Sequence, residues 1–360
     1  MNLSIDSGER MAQQLAVEIT KAGRPGHAAT SNPAETLMQI AGGWLLPRSL
    51  HLIADLGVAD ALDETPRSAA DLAAETGAHP QALARTLRLL SAYGVFATRG
   101  GMVSHTASSR LLRSDHPQSL RPFARMLGLP INLEAYRLFG DTLRTGRPAI
   151  EQVVQPNGIF AYLAGRPDEA RIFGEAMTAK AHAQVAGVLG VYDFSRFESI
   201  ADIGGGRGHL LQTVLERASR ARGVLFDLPH VIDDAAGQAS ERLSLRAGDF
   251  FRDRLPSCDA YMLMDIIHDW DDEQSAAILR AVRAAAPDHA TLLLLETIVP
   301  DETGPHWAKT LDVLMLAVTG GLQRTAQEYE VLLAASGFHM KRVIDTPTGI
   351  SIVEAVTQPS

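Results

Sequence analysis

The chain has 360 residues, 46% hydrophobic and 21% charged, with a formal net charge of −9. That length calls for about two domains of roughly 100–200 residues each, and the acidic balance argues against nucleic acid as the main partner. Cys258 is the only cysteine, which excludes an intrachain disulfide and points to a reducing, cytoplasmic setting.

Residues 1–32 are polar, with Gly and Pro near 23–26, and read as a flexible N-terminal arm. They lack a positive stretch followed by an apolar core, so no signal peptide is expected. Leu37, Ile40, Ala41, Trp44 and Leu45 predict a helix by their spacing. Pro47 should break it, and Leu50–Leu56 should resume it. Arg48, His51 and Asp55 interrupt this apolar region, so no membrane span is expected. Ser68 caps a short helix over 69–76, Gly77 ends it, and His79-Pro80 opens a second helix through Leu90. Tyr93–Thr98, Gly100-Gly101 and Met102-Val103 then read as a hairpin. Such a helix-turn-helix with a wing either binds DNA through Arg85 and Arg88 or serves structure and dimerisation. Leu83, Leu87, Leu89 and Leu90 on the second helix, with the acidic total, favour the structural role. Residues 114–190 read as helical, with breaks at 128–130, 146–148 and 156–158.

From Ser199 the pattern changes. Strands are predicted at 199–203, 223–228, 243–247, 260–266 and 291–297, with helices between them, and a hairpin at 339–346 and 350–356 closes the chain. Alternating strands and helices imply a mainly parallel, doubly wound α/β sheet, which binds ligands beyond the carboxyl ends of its strands. Asp202-Ile-Gly-Gly-Gly-Arg-Gly-His209 reads as strand, glycine turn and helix. The nicotinamide fingerprint fails, because its third glycine position is His209. Asp-x-Gly-x-Gly-x-Gly fits instead, with Asp202, Gly204, Gly206 and Gly208, and Gly205 between them. Asp227, followed by Leu228, ends the second strand, where an acid grips a ribose hydroxyl. Asp249 and Phe250 follow the third strand and suit an adenine amino group and ring face. Together these elements predict a nucleoside-like cofactor.

His268-Asp269-Trp270 follows the fourth strand, so His268 belongs at the carboxyl edge beside that cofactor. Taken alone it reads as a capping or core histidine at the start of the next helix, ahead of a base working near neutral pH. Glu296 ends the fifth strand. Trp307, Asp312 and Met315 lie on the helix after it, and Asp312 is an acid on an apolar face that needs a reason.

With these motifs in order, the chain resembles the class I S-adenosylmethionine-dependent O-methyltransferases, in particular those including plant caffeic acid O-methyltransferase and bacterial tailoring enzymes of aromatic natural products. The resemblance spans about residues 35–356. Asp202–Gly208, Phe226–Ile232, Gly248–Phe251, His268–Trp270, Leu294–Pro300, Gly320-Gly321 and Arg324-Thr325 carry it. It implies a helical, winged-helix dimerisation domain over 33–185, forming a homodimer. A Rossmann-like catalytic domain over 186–357 should be mainly parallel with an antiparallel last strand. S-adenosyl-L-methionine would bind there and leave as S-adenosyl-L-homocysteine, with no metal and no nucleic-acid or membrane partner. His268 becomes the general base and Glu296 its orienting acid. Phe173 and Met177 match the family's Phe-x-x-x-Met, and with Asp269, Trp307, Asp312, Met315 and Gln323 would receive a small aromatic hydroxyl compound. Plant members carry a second glutamate where Gln323 stands here, which leaves base catalysis to His268 and Glu296. Some relatives use the fold for decarboxylation or hydroxylation without methyl transfer, and these lack the histidine that His268 supplies. A DNA-binding regulator built on the wing is the remaining alternative.

Overall fold

The computed structural model describes residues 32–154, 159, 162–163 and 165–358. The arm expected over 1–32 lies outside them, Asn32 excepted. The described residues form two compact units, one within 32–136 and 152–180, the other within 137–151 and 181–358.

In the first unit, Asn32 Oδ1 accepts from Ala34 N and Pro33 takes the first helical position, starting α1 (Pro33–Gly42). Helix α2 (Leu45–Asp55) runs through Pro47, contrary to the expected break. Pro47 sits in the first turn, where no amide donates within the helix, so its missing N–H loses nothing. The interruption falls earlier, at Gly43-Trp44. Then follow α3 (Val58–Ala61), β1 (Arg67–Ser68), α4 (Ala69–Thr76), α5 (Pro80–Ala92), β2 (Phe96–Arg99), β3 (Met102–His105), α6 (Ala107–Arg110) and α7 (Arg121–Leu127). The three strands form an antiparallel sheet in the order β1-β3-β2. Ser68 Oγ accepts from Asp71 N to cap α4, and Gly77 closes it at φ +70°. Leu83, Leu87 and Leu90 turn one face of α5 into a core with Leu72, Phe96 and Val103, while Arg85 and Arg88 stay exposed. Full burial of each such side chain contributes about 1.5–3 kcal/mol. Helices α8 (Pro130–Thr145), α9 (Glu151–Val154) and α10 (Pro167–Val191) follow, each with residues in both units.

The second unit holds β4 (Ser199–Ile203), α11 (His209–Arg217), β5 (Arg222–Asp227), α12 (Pro229–Asp234), β6 (Leu243–Ala247) and β7 (Ala260–Met264). Then come α13 (Asp272–Ala285), β8 (Thr291–Glu296), α14 (Trp307–Val318), α15 (Ala326–Ala335), β9 (Phe338–Asp345) and β10 (Ser351–Thr357). Seven strands form one sheet in the order β6-β5-β4-β7-β8-β10-β9. β6 to β8 are parallel, and β10 inserts antiparallel between β8 and β9. Both faces are buried, as a parallel sheet requires. Ile200, Leu225, Met262, Leu293 and Leu295 serve one core. Their strand neighbours Ala201, Phe226, Tyr261, Leu292 and Leu294 serve the other, at the strand period of two. Strand order reverses between β4 and β7. The crevice outside the carboxyl ends at that reversal is where such sheets bind ligands.

Candidate active site

The turn after β4 is built for close approach. Gly204, Gly206 and Gly208 have φ of +70°, +59° and +76°, a region that strains other residues. A Cβ on Gly206 would meet nothing within 4 Å, whereas one on Gly205 would lie 2.4 Å from Asp202 Cγ. Gly206 therefore offers open backbone on the outer side of the turn, and Gly205 seals the turn onto Asp202 beneath it. Asp202 is 1% exposed, and neither of its carboxylate oxygens has a hydrogen-bond partner among the described residues. Burial, then the charge of Asp227, raises its pKa to about 7. A buried acceptor without a donor, under a glycine cradle, fits a ligand that brings a cationic group to the loop.

Asp227 ends β5 beside this turn. Its Oδ2 accepts from Gly206 N at 2.8 Å and its Oδ1 from Leu228 N at 2.7 Å. Burial raises its pKa, and these two amides oppose the rise. Asp249 Oδ1 accepts from Phe251 N. Phe250, half-buried, meets Trp270 edge-to-face at 6.0 Å, and Phe251 does so at 4.9 Å. The strand ends thus bring Asp202, the glycines, Asp227, Leu228, Asp249 and Phe250 to one edge of the sheet, though 48 residues of sequence separate the first from the last.

His268 lies in the short 3-10 turn Ile267–Asp269 after β7 and is 5% exposed. Glu296, fully buried at the end of β8, accepts from Ile267 N at 2.8 Å through Oε1. Its Oε2 stands 3.3 Å from His268 Nδ1. Burial raises the Glu296 pKa, and the charge of His268 opposes this. The Gln323 amide nitrogen lies 2.8 Å from the same Nδ1. On the other side of the ring, Asp269 Oδ1 is 3.6 Å from Nε2. Leu322 N donates to His268 O, and a Cβ on Gly321 would fall 2.0 Å from that oxygen, so only glycine admits this contact.

Arg324 is fully buried behind the histidine. Its guanidinium donates to Ile267 O, Trp270 O, Leu322 O, Ser275 Oγ and Asp272 Oδ1. Five acceptors from two loops and the start of α13 are thereby joined through one planar group.

Gln323 and Asp312 each have a neighbour within the site. Gln323, assigned to the acceptor, is 2% exposed and turned onto His268. Asp312, also assigned to the acceptor, uses Oδ1 to accept from Gln323 N at 3.0 Å, which explains an acid on that helix. Burial still raises its pKa. Trp307 is 44% exposed and Met315 half-buried, both on α14. Phe173 and Met177 lie one turn apart on α10, in the other unit. Sequence reasoning missed Asp265, whose Oδ1 lies 3.8 Å from His268 Nδ1. An acid three residues before the histidine, at a strand end, was the available signal.

Comparison with known proteins identifies the family. Residues 136–339 match the O-methyltransferase domain family, and residues 38–115 match the O-methyltransferase dimerisation domain. The phenazine O-methyltransferase of Lysobacter antibioticus is 40% identical over 328 residues, covering 89% of this chain and 95% of that protein. A methyltransferase of calicheamicin biosynthesis, solved in its S-adenosylhomocysteine-bound form, superposes with a TM-score of 0.82 at 33% identity, covering 90% of this chain and 98% of that one. An O-methyltransferase of neocarzinostatin biosynthesis, solved with S-adenosylmethionine and 2-hydroxy-5-methyl naphthoic acid, gives 0.71 at 29% identity, covering 86% and 95%.

Proposed function

This chain belongs to the S-adenosylmethionine-dependent O-methyltransferases, and from that premise we propose that it methylates a hydroxyl of a small aromatic secondary metabolite with His268 as general base. The carrying observation is the ring of His268, which has Nδ1 against Glu296 Oε2 and the Gln323 amide while Nε2 lies on the opposite side. Phenazine and naphthoic acid, in the names of the relatives, support a flat aromatic acceptor.

When bound, S-adenosylmethionine supplies a methyl carbon activated by its neighbouring sulfonium. The Gly204–Gly208 turn, Asp227 and Leu228, and Asp249 and Phe250 would hold it, with Asp202 beneath the turn. His268 accepts the acceptor hydroxyl's proton at Nε2, which requires the ring's own proton on Nδ1. Nδ1–H then donates toward Glu296 Oε2, an atom otherwise without a partner. Gln323 presents Oε1 rather than its nitrogen to the ring, a half-turn of the amide that leaves the positions of its heavy atoms unchanged. Positioning the acceptor oxygen in line with the methyl group supplies several further kcal/mol. Trp307, Met315 and Asp269 are the acceptor-facing side chains of this proposal, joined by Phe173 and Met177 on the strength of family resemblance.

Residues 38–115 support a homodimer through the matched dimerisation domain. So does α1, which has no buried residue and exposes Leu37, Met38 and Ile40. No helix among the described residues is long and apolar enough to cross a membrane. A cytoplasmic location is part of the same proposal, supported by Cys258 being the only cysteine.

Incubation with methyl-deuterated S-adenosylmethionine and a pool of phenolic phenazines, naphthoates and quinones tests the function by mass spectrometry. Label on an aromatic oxygen is expected. An acceptor consumed without label, or labelled on nitrogen, overturns the reading.

Glu296→Gln should lower turnover about ten- to a hundredfold, the scale of a hydrogen bond to a charged group. Removing that carboxylate also removes the charge that favours a proton on the neighbouring ring. The acid limb of the kcat/KM profile should therefore move to lower pH. A limb that stays in place means Glu296 orients the ring without acting through charge.

A further inference from the structure

Three side chains converge on His268 Nδ1, and the one at 2.8 Å, the Gln323 amide, is neutral. We infer that Asp265, which follows β7, supplies a charge that Gln323 cannot and acts as a positioning residue for His268 at Nδ1. This rests on the reading of His268 as the base.

Asp265 is the one non-glycine residue with positive φ, +54°, among the described residues. Asp and Asn tolerate that region better than other side chains. Its amide donates to Leu295 O at 3.0 Å, which pins the residue beside the strand that ends in Glu296. The left-handed turn directs the carboxylate toward the ring, with Oδ1 3.8 Å from His268 Nδ1 and the side chain 18% exposed. Asp265, His268 and Glu296 present one atom each within 4.8 Å of one another. Two carboxylates from adjacent strand ends thus face the ring nitrogen that must keep its proton, while the third neighbour, Gln323, contributes no charge.

The other charged and titratable groups nearby have different tasks. Asp269 faces Nε2. Asp312 holds Gln323 N. Asp272 pairs with Arg324, whose guanidinium grips the carbonyls of the histidine turn. Tyr329, fully buried, stays neutral because burial, then the charge of Glu296, raises its pKa. Asp265 is therefore the group whose charge acts on Nδ1 alongside Glu296.

The test is a set of kcat/KM pH profiles, with cofactor dissociation constants, for the wild type, Asp265→Asn, and Asp265→Asn combined with Gln323→Glu. Asparagine keeps the left-handed backbone and removes only the charge. Loss of a nearby opposite charge moves a titration by about one to three units. Asp265→Asn should shift the acid limb to lower pH by about one unit and reduce kcat about tenfold, with cofactor affinity little changed. Restoring a carboxylate through Gln323→Glu in that background should return the limb toward the wild-type position.

A limb unmoved by Asp265→Asn overturns the proposal while leaving the base reading intact. A loss confined to cofactor affinity also overturns it, by assigning Asp265 to the cofactor. Wild-type activity lost on dialysis against EDTA would do the same, since the three groups would then serve a divalent cation. A wild type with no acid limb at all removes the base reading itself.

Discussion

Replacing His268 with alanine should lower kcat by about 10²- to 10⁴-fold, the usual contribution of a positioned general base, while S-adenosylmethionine binding stays close to wild type. The split follows from geometry. The imidazole meets Glu296, Gln323 and Asp269, whereas the glycine turn and Asp227 form a separate set around Gly206. Single-turnover kinetics with calorimetric titration of the cofactor measures both quantities. Equal losses in the two would mean that His268 shapes the cofactor site and does not remove a proton. An acidic acceptor, already ionised at the assay pH, should shrink the kcat effect, so a series of phenols of differing acidity reads out how much work the base performs.

The second large effect is expected at Gly205. A methyl group there would lie 2.4 Å from Asp202 Cγ and 2.6 Å from Leu225 Cδ1. Both neighbours are buried, at 1% and 0% exposure, and neither can swing away. Gly205→Ala must push the turn outward. Overpacking of this kind costs about 1–3 kcal/mol, which corresponds to about ten- to a hundredfold in cofactor affinity or an equal loss of stability. Calorimetry and thermal melts of the same sample separate the two. Gly206→Ala is the useful comparison, because its Cβ would meet no protein atom, and only the strain of its positive φ remains. Wild-type affinity and melting in Gly205→Ala would show that the turn is not packed onto Asp202.

Local chemistry wrote much of this molecule plainly. The strands beginning at Ser199, Ala260 and Thr291 were visible because each is a short, mainly apolar run that ends in or runs into Gly or an acid, and the one at Leu243 because it alternates apolar and polar residues before Gly248. The glycine turn was visible because only glycine serves there. The capped helix after Ser68 was equally direct. What the sequence concealed depends on contacts between distant segments. Gln323 meets His268 across 55 positions, and nothing around Gln323 announces it. Asp312 looked like a ligand for an acceptor because its partner, the Gln323 amide, is a backbone atom. Pro47 was misread because a proline in a first turn and a proline in mid-helix look alike until the helix start is known. Asp265 was overlooked because its importance comes from a left-handed backbone angle that sequence does not display.

The buried guanidinium of Arg324 has a consequence for engineering. It fastens the histidine turn, the Leu322 segment and the start of α13 into a single rigid frame, which meets α14 through the Asp312 carboxylate at Gln323 N. Trp307 and Met315 sit on α14, outside that frame's own hydrogen bonds. On the proposed acceptor role of Trp307 and Met315, a library that randomises those two positions while sparing Asp312 should vary acceptor choice with the proton-handling geometry held constant, so new specificities should emerge there without a matching collapse in rate.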